Sequence, residues 1–190
     1  PGRQLLTLDL DFPPVDFWDS IINNLEINSA LAVYSTHKHT AAKPRYRLIM
    51  PLDREVTPDE YEAIARKIAE KIGIDYFDDS TFQPTRLMYW PSHSVDVEPF
   101  FQFYDAPFLS ASAVLAEYPD WTDTSYWPES SRMAGIRKRQ ADKQGDPLSK
   151  KGVVGAFCRT YTVTQAIAAF LPDVYTPTAK DDRYTYAAGS

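Results

Sequence analysis

Cysteine is almost absent from this chain of 190 residues, in which Cys158 is the only one. A single cysteine excludes an internal disulfide and a cysteine-based zinc cluster, so we expect a protein of the reducing cytoplasm. Long apolar runs are also missing, because charged residues interrupt every apolar stretch well before the roughly 18 residues that can span a bilayer. No basic segment precedes an apolar one at the start, so the sequence predicts neither export nor a membrane partner.

Basic residues are outnumbered overall, but they are concentrated in two segments. The chain has 20 Lys and Arg against 26 Asp and Glu, and its net charge of −6 argues against a generally basic surface for polyanions. Residues 38–54 carry five basic side chains against Asp53 alone, and residues 132–151 carry seven against Asp142 and Asp146. Each cluster can be a solvated face or a contact for phosphates, and the second can equally be a flexible tether.

Apolar periodicity predicts an α+β fold. The predicted strands cover residues 5–12, 29–36, 44–52, 86–91 and 97–105, the third of them ended by Pro51, and the predicted helices cover 15–26, 58–72 and 110–117. The helix over 58–72 has the strongest signals, because Thr57 and Glu60 fit a capping box at its start and Gly73 ends it.

Composition changes near residue 118 and predicts a division of the chain. We expect a main domain over 1–118, a connector rich in Trp, Pro, Asp and Ser over 119–131, and a small, mainly helical region over 132–190. Thr162 and Gln165 predict a capping box at the start of a helix in that last region. Because the chain begins with Pro rather than Met and stops in TYAAGS, we expect it to be part of a longer protein.

The run LTLDLDF places two carboxylates, Asp9 and Asp11, in an otherwise apolar predicted strand. Side chains alternate along a strand, so both carboxylates project from one face, opposite Leu8 and Leu10. Two like charges about 7 Å apart repel each other and are costly to desolvate unless a cation or hydrogen-bond donors lie between them. Taken alone, the pair is explained as well by a strand with one solvated face.

Polar residues follow the next predicted strand at the same spacing. In YSTHKHT, Ser35 and His37 are two residues apart, and we expect them to project from one face. Lys43, Arg45 and Arg47 come next, and the two arginines alternate with apolar residues. Hydroxyl, imidazole and cationic donors together suit a chain of phosphates.

A third acidic segment, DYFDDSTFQPTR, follows the predicted helix over 58–72. Asp75, Asp78 and Asp79 offer a further carboxylate, and Arg86 begins the next predicted strand. An exposed acidic loop is the simpler interpretation of this segment alone. Combined with the acids and donors of the other strands, it predicts an oxygen-ligand site for two divalent cations beside a triphosphate-binding surface, as nucleotidyl transfer requires.

The order of these motifs resembles the archaeo-eukaryotic primase superfamily, in which an acidic pair on a strand is followed by Ser-x-His and then by a third acid. LTLDLDF, YSTHKHTAAKPRYRLIMPL and FDDSTFQPTRLMYWPS look most like primase-polymerase domains of phages and mobile elements, found at the front of virulence-associated E and replicative helicase proteins. The resemblance extends over residues 5–172, since GVVGAFCRTYTVTQAIAAFLP looks like the helical segment that follows those domains. It implies a mixed or antiparallel sheet with an RRM-like element, flanked by helices.

The resemblance also implies roles for the residues identified above. The implied ligands of two Mg²⁺ or Mn²⁺ ions are Asp9, Asp11 and Asp78, with Asp79 and then Asp75 as alternates for the third acid. The implied contacts of the nucleotide phosphates are Ser35, His37 and Arg86, and then, as weaker candidates, Lys43, Arg45 and Arg47. Asp9 is expected to face solvent, so replacing it with Ala should abolish synthesis and leave the fold largely intact.

The implied reaction is template-directed nucleotidyl transfer, in which a hydroxyl attacks the α-phosphorus of an NTP or dNTP and releases pyrophosphate. The implied partners are a single-stranded DNA template and a helicase domain in the longer protein, in the cytoplasm of a bacterial or phage-infected cell. Whether the product is RNA or DNA stays open.

Two alternatives also stay open. His37 and His39 form a His-x-His that could hold the metal of a rolling-circle replication endonuclease, with one of the twelve tyrosines attacking DNA. The other alternative is a non-catalytic module that binds single-stranded DNA through aromatic stacking and through the basic segment over 132–151.

Overall fold

A computed structural model describes residues 2–24, 26–144, 146–180 and 183–187, which form two compact units. The first unit comprises residues 1–122 and 127–131, and the second comprises 123–126 and 132–190. The predicted connector over 119–131 is thus shared between them. The six helices and the antiparallel four-stranded sheet of the described residues confirm the predicted α+β fold class.

The first unit is built on that antiparallel sheet. Its strands are β1 (Arg3–Leu10), β2 (Leu31–Ser35), β3 (Tyr46–Val56) and β4 (Phe101–Tyr104), and its helices are α1 (Phe17–Ile22), α2 (Pro58–Ile72) and α3 (Ala111–Leu115). The strands lie in the order β1-β3-β2-β4, so the longest strand, β3, pairs with a strand on each side. Alternate residues of β1 and β3, such as Leu6, Leu8, Leu48 and Met50, are fully buried and form the core with α2.

The capping box predicted for α2 is confirmed. The Thr57 side chain accepts a hydrogen bond from the Glu60 backbone N–H, and the Glu60 carboxylate accepts one from the Thr57 N–H at 2.8 Å. Arg54 also donates to Glu60 at 2.7 Å, and this hydrogen bond is the main reason that the pKa of Glu60 lies below its ordinary value. The apolar residues of α2, among them Tyr61 and Ile64, form one stripe along the helix and are buried.

Gly73 ends α2 with a φ of 128°, in a region that residues with a Cβ atom rarely adopt. A Cβ atom built there would lie 2.6 Å from the Tyr76 ring. The chain then turns through two short 3-10 helices, Ile74–Tyr76 and Asp79–Phe82, which return it to the sheet.

Several of the predicted elements differ from the structure. Residues 86–91 form no strand, because Pro84 precedes them, Pro91 ends them, and β1 and β4 take the outer positions of the sheet. The third strand does not end at Pro51, because Pro51 lies opposite the irregular part of β1 and its carbonyl accepts from Leu109 N–H. The first helix is shorter than the predicted range 15–26, in which Leu25 lies outside the described residues.

The second unit is mainly helical. It contains most of α4 (Ser131–Gln144), α5 (Gly152–Thr160) and α6 (Val163–Phe170), followed by a hairpin of β5 (Tyr175–Pro177) and β6 (Tyr184–Tyr186) that the sequence did not predict. The predicted capping box of Thr162 and Gln165 is present at the start of α6. Across the described part of the chain, no helix combines the length and apolar character needed to cross a membrane.

Replacing Thr57 with Ala should lower the free energy of unfolding by about 1 kcal/mol, because one N–H of the first turn of α2 loses its acceptor. Urea denaturation monitored by circular dichroism measures the change. The Thr57→Asp variant keeps an acceptor at this position and should stay close to the wild-type value. Equal losses in both variants would mean that the cap does not stabilise α2.

Candidate functional site

Strand register places Asp9, Arg47, Tyr34 and Phe101 in one row across the four strands. Asp9 pairs with Arg47, Arg47 with Tyr34, and Tyr34 with Phe101. Directly paired residues project from the same face of a sheet, so this row lies on the face opposite the core. The predicted alternation of Asp9 with buried leucines is therefore present, and Arg47 is on the same face as Asp9.

The segment that follows Gly73 runs along the free edge of β1. Asp78 N–H donates to the Asp9 carbonyl at 3.0 Å, and Asp9 N–H donates to Thr81 Oγ at 2.8 Å. Thr81 is fully buried. These bonds bring Asp78 beside Asp9 although the two residues are far apart in the sequence.

A cleft of about 360 Å³ opens at this end of the sheet. Its lining residues are Asp9, Asp11, Tyr34, Thr36, His37, Lys38, Arg45, Tyr46, Arg47, Asp78, Arg86, Tyr89, Trp90 and Ser92. The volume lies within the range of small-ligand sites, and the lining combines acids, bases and aromatic rings.

Each carboxylate of the cleft is paired with an arginine. Arg47 Nε donates to Asp9 at 2.6 Å, and Arg45 donates to Asp11. Arg86 lies 3.6 Å from Asp78, whose carboxylate also accepts from the N–H and the hydroxyl of Ser80. The three acids are thus held by side-chain partners of the first unit.

The Asp9–Arg47 pair is the most buried of the three, with side-chain exposures of 18% and 9%. Arg47 also donates to the Tyr34 hydroxyl at 3.1 Å and to the Tyr89 carbonyl at 2.5 Å. Burial on its own lowers the pKa of Arg47, but the hydrogen bond and charge of Asp9 outweigh it and raise the pKa above its ordinary value. Asp9 thus lies on the cleft face and not in the core, but removing its carboxylate would leave the buried guanidinium of Arg47 without its anion, so we expect Asp9→Ala to lower the stability of the fold.

The cleft contains the ligand types that a divalent cation prefers, but they are not arranged as a coordination shell. Carboxylate oxygens are the ligands that Mg²⁺ and Mn²⁺ prefer, and Asp9, Asp11 and Asp78 all line the cleft. No group of three or more His, Cys, Asp or Glu side chains among the described residues is arranged to hold a metal ion. In this arrangement each of the three carboxylates is paired with a guanidinium group.

The predicted Ser35-x-His37 pair does not share a face. Ser35 is paired with Tyr46 on the core face, is 4% exposed, and its Oγ accepts from Phe100 N–H at 2.9 Å. His37 lies in the turn after β2, is exposed, and lines the cleft. Alternation fails here because β2 ends at Ser35 and the backbone then leaves the strand conformation.

His39 lies in a different environment from His37. It is buried against Tyr46, with ring centroids 5.1 Å apart, and its Nδ1 accepts from Arg45 N–H. Burial lowers the pKa of His39 more than this hydrogen bond raises it. Since only His37 is among the cleft residues, the structure does not bring the two histidines of the His-x-His to one site.

Three other predicted residues lie outside the cleft lining. Asp75 accepts from the N–H and hydroxyl of Ser131, Asp79 begins a 3-10 helix, and Lys43 lies in the turn that it forms with Thr40. Of the three candidates for a third acid, the cleft therefore includes Asp78.

Sequence reasoning missed the aromatic part of the cleft. Tyr34, Tyr89 and Trp90 line it, and Trp90 is 91% exposed. Tyr34 could have been predicted from the sequence. It lies between Val33 and Ser35 in the strand, so alternation places its side chain on the opposite face from theirs. Tyr89 and Trp90 carry no such signal, because they lie in an irregular segment held in part by the bond from Arg47 to the Tyr89 carbonyl.

The fold and the cleft define an α+β domain with a carboxylate–arginine site at one end of its sheet. Comparison with family models matches residues 1–130 to the VapE N-terminal domain, so the chain belongs to this family. It is a VapE-like protein associated with replication in phages and mobile elements, which confirms that part of the resemblance. The comparisons with curated proteins and with solved structures gave no match.

Replacing Thr81 with Val should lower the free energy of unfolding by about 1 to 3 kcal/mol, because the partly buried Asp9 N–H loses its acceptor. Thr81→Ser keeps the hydroxyl and should lose less. Urea denaturation of both variants measures the difference. A Val variant as stable as the wild type would contradict a stabilising role for the contact between Thr81 and β1.

Proposed function

We propose that this domain is a primase-polymerase that extends or starts a strand on single-stranded DNA during phage or mobile-element replication. The observation that supports this most directly is the cleft, in which three carboxylates lie beside Arg45, Arg86, Lys38 and His37. Acids suited to hard cations next to bases suited to phosphates are what nucleotidyl transfer needs. Membership of the VapE N-terminal domain family agrees with a role in replication.

In this proposal the side chains of the cleft divide the work of binding an NTP or dNTP. Arg45, Arg86 and Lys38 bind phosphate oxygens, and His37 donates a hydrogen bond to them from the turn after β2. Arg47 is a positioning residue, because its bonds to Asp9, Tyr34 and the Tyr89 carbonyl fix the floor of the cleft.

The carboxylates of Asp9, Asp11 and Asp78 would hold two Mg²⁺ or Mn²⁺ ions. When bound, such ions neutralise charge on the attacking and leaving oxygens of an in-line displacement. The residues of the chain orient the α-phosphorus toward the attacking hydroxyl and hold the released pyrophosphate. Positioning and electrostatic stabilisation supply most of the rate in phosphoryl-type transfer, so few groups need to move a proton.

The open face of the sheet offers a surface for the template strand. Phe101 and Phe103 are 62% and 65% exposed, with ring centroids 6.4 Å apart, and Phe101 is the direct partner of Tyr34. Exposed aromatic rings on a sheet are the usual platform on which the bases of single strands stack. Template bases on these rings would lead toward the cleft.

The same rings favour a second candidate function, a module that binds single-stranded DNA without catalysis. It requires neither the three acids nor their arginines to act on a nucleotide. A rolling-circle endonuclease is less well supported, because only one histidine of the His-x-His is among the cleft residues and the other is buried against Tyr46. A helicase domain in the longer protein and a cytoplasmic location complete the proposal.

Replacing Asp11 with Asn should reduce template-dependent incorporation of labelled nucleotide by at least about a hundredfold, because a cation ligand loses its charge. Primer extension and de novo synthesis with Mn²⁺ or Mg²⁺ measure it. Asp11 is the better test than Asp9, since its side chain is 36% exposed and its loss leaves no deeply buried charge. The Asp59→Asn variant, an exposed acid on α2, serves as the control. Full activity of Asp11→Asn would contradict the proposal.

Replacing Phe101 and Phe103 together with Ala should weaken binding of a labelled oligothymidylate by about tenfold or more, because two stacking surfaces are lost. Fluorescence anisotropy measures the affinity. Phe108→Ala, which removes an exposed phenylalanine outside the strands, should bind normally. DNA binding that depends on both rings, in a protein that incorporates no nucleotide, would favour the non-catalytic module.

A further inference from the structure

The acids and bases of the cleft are matched almost one to one. The carboxylates are Asp9, Asp11 and Asp78, and each has its own arginine, Arg47, Arg45 and Arg86 respectively. Lys38 also lines the cleft and leaves it with one excess positive charge. The cleft therefore has acids for a cation but carries no net negative charge to attract one.

This balance of charge disfavours the binding of a divalent cation alone and of a triphosphate alone. A lone divalent cation meets an excess of positive charge and has to displace an arginine from the carboxylate that would bind it. A lone triphosphate, with roughly four negative charges, has to compete with carboxylates for the same guanidinium groups. A triphosphate together with two divalent cations is close to neutral, so it supplies phosphate oxygens for the arginines that leave their carboxylates and cations for the carboxylates that are left.

The three pairs are not equally free to exchange. Arg47 is held by Tyr34 and by the Tyr89 carbonyl as well as by Asp9, and its side chain is only 9% exposed. Arg45 and Arg86 are 20% and 44% exposed, and the separation of 3.6 Å between Arg86 and Asp78 is that of a loose ion pair. Partly exposed pairs of this kind cost little to break.

We propose that Arg45 and Arg86 exchange their carboxylate partners for nucleotide phosphates, so that the cleft binds divalent metal and nucleoside triphosphate together rather than either one alone. This inference rests on the proposed function and adds a binding rule to it. Without nucleotide, Arg45 is paired with Asp11 and Arg86 with Asp78. When phosphate oxygens bind the two arginines, the two carboxylates are free to bind cations. Arg47 keeps Asp9 in place throughout.

Isothermal titration calorimetry of the whole chain tests the rule, with Mn²⁺ and the non-hydrolysable α,β-imido analogue of dATP as probes. In the wild type, Mn²⁺ should bind at least about tenfold more tightly when the analogue is present, because two ligands that each favour the binding of the other are coupled. In Arg45→Gln, Mn²⁺ alone should bind about tenfold more tightly than in the wild type, because Asp11 is no longer paired. Binding of the analogue with Mn²⁺ should weaken in the same variant.

Arg54→Gln is the matched control, because it breaks an arginine–carboxylate pair with Glu60 outside the cleft and should change neither affinity. If the wild type binds Mn²⁺ equally well with and without the analogue, or if Arg45→Gln leaves the affinity for Mn²⁺ alone unchanged, the exchange of partners is wrong while the proposed function stands. If the wild type binds no analogue at all in the presence of Mn²⁺, the proposed function fails, and the binding rule fails with it.

Discussion

The site depends on one stretch of backbone pairing, in which the segment after α2 lies along the free edge of β1. The bonds from Asp78 N–H to the Asp9 carbonyl and from Asp9 N–H to Thr81 Oγ join two parts of the chain that local sequence cannot connect. Because backbone groups make or anchor these bonds, the position of Asp78 is fixed more firmly than its side chain alone could achieve. The acids meet in one cleft as a consequence of this pairing.

Strand parity made much of the cleft predictable. Asp9 alternates with leucines, and Arg45 and Arg47 alternate with apolar residues, so sequence alone placed these charges away from the core. The same argument failed at Ser35, because β2 is apolar on both faces and ends at that residue, where alternation stops. The segment over 86–91 has the composition of a strand, but a strand needs a partner, and β1 already has Asp78 and Thr81 along its free edge.

The ion pairs of the cleft could not be read from the sequence. They depend on the register of β1 against β3, which sets Asp9 opposite Arg47, and register is a property of the folded sheet. Pairing also changes how the acids are understood. Asp9 pairs with a buried arginine as well as lining the cleft, so a substitution there affects both the stability of the fold and the chemistry of the cleft. Asp11 is more exposed, so a substitution there tests the chemistry with less effect on stability.

The turn at Gly73 extends the control of the cleft to a residue that is not part of it. No L-amino acid side chain fits this backbone angle comfortably, and the Tyr76 ring closes the space where one would project. The path of the chain from α2 to the edge of β1 therefore requires glycine at position 73. A substitution at Gly73 would have to shift this path, and with it Asp78, although Gly73 itself is not among the residues that line the cleft.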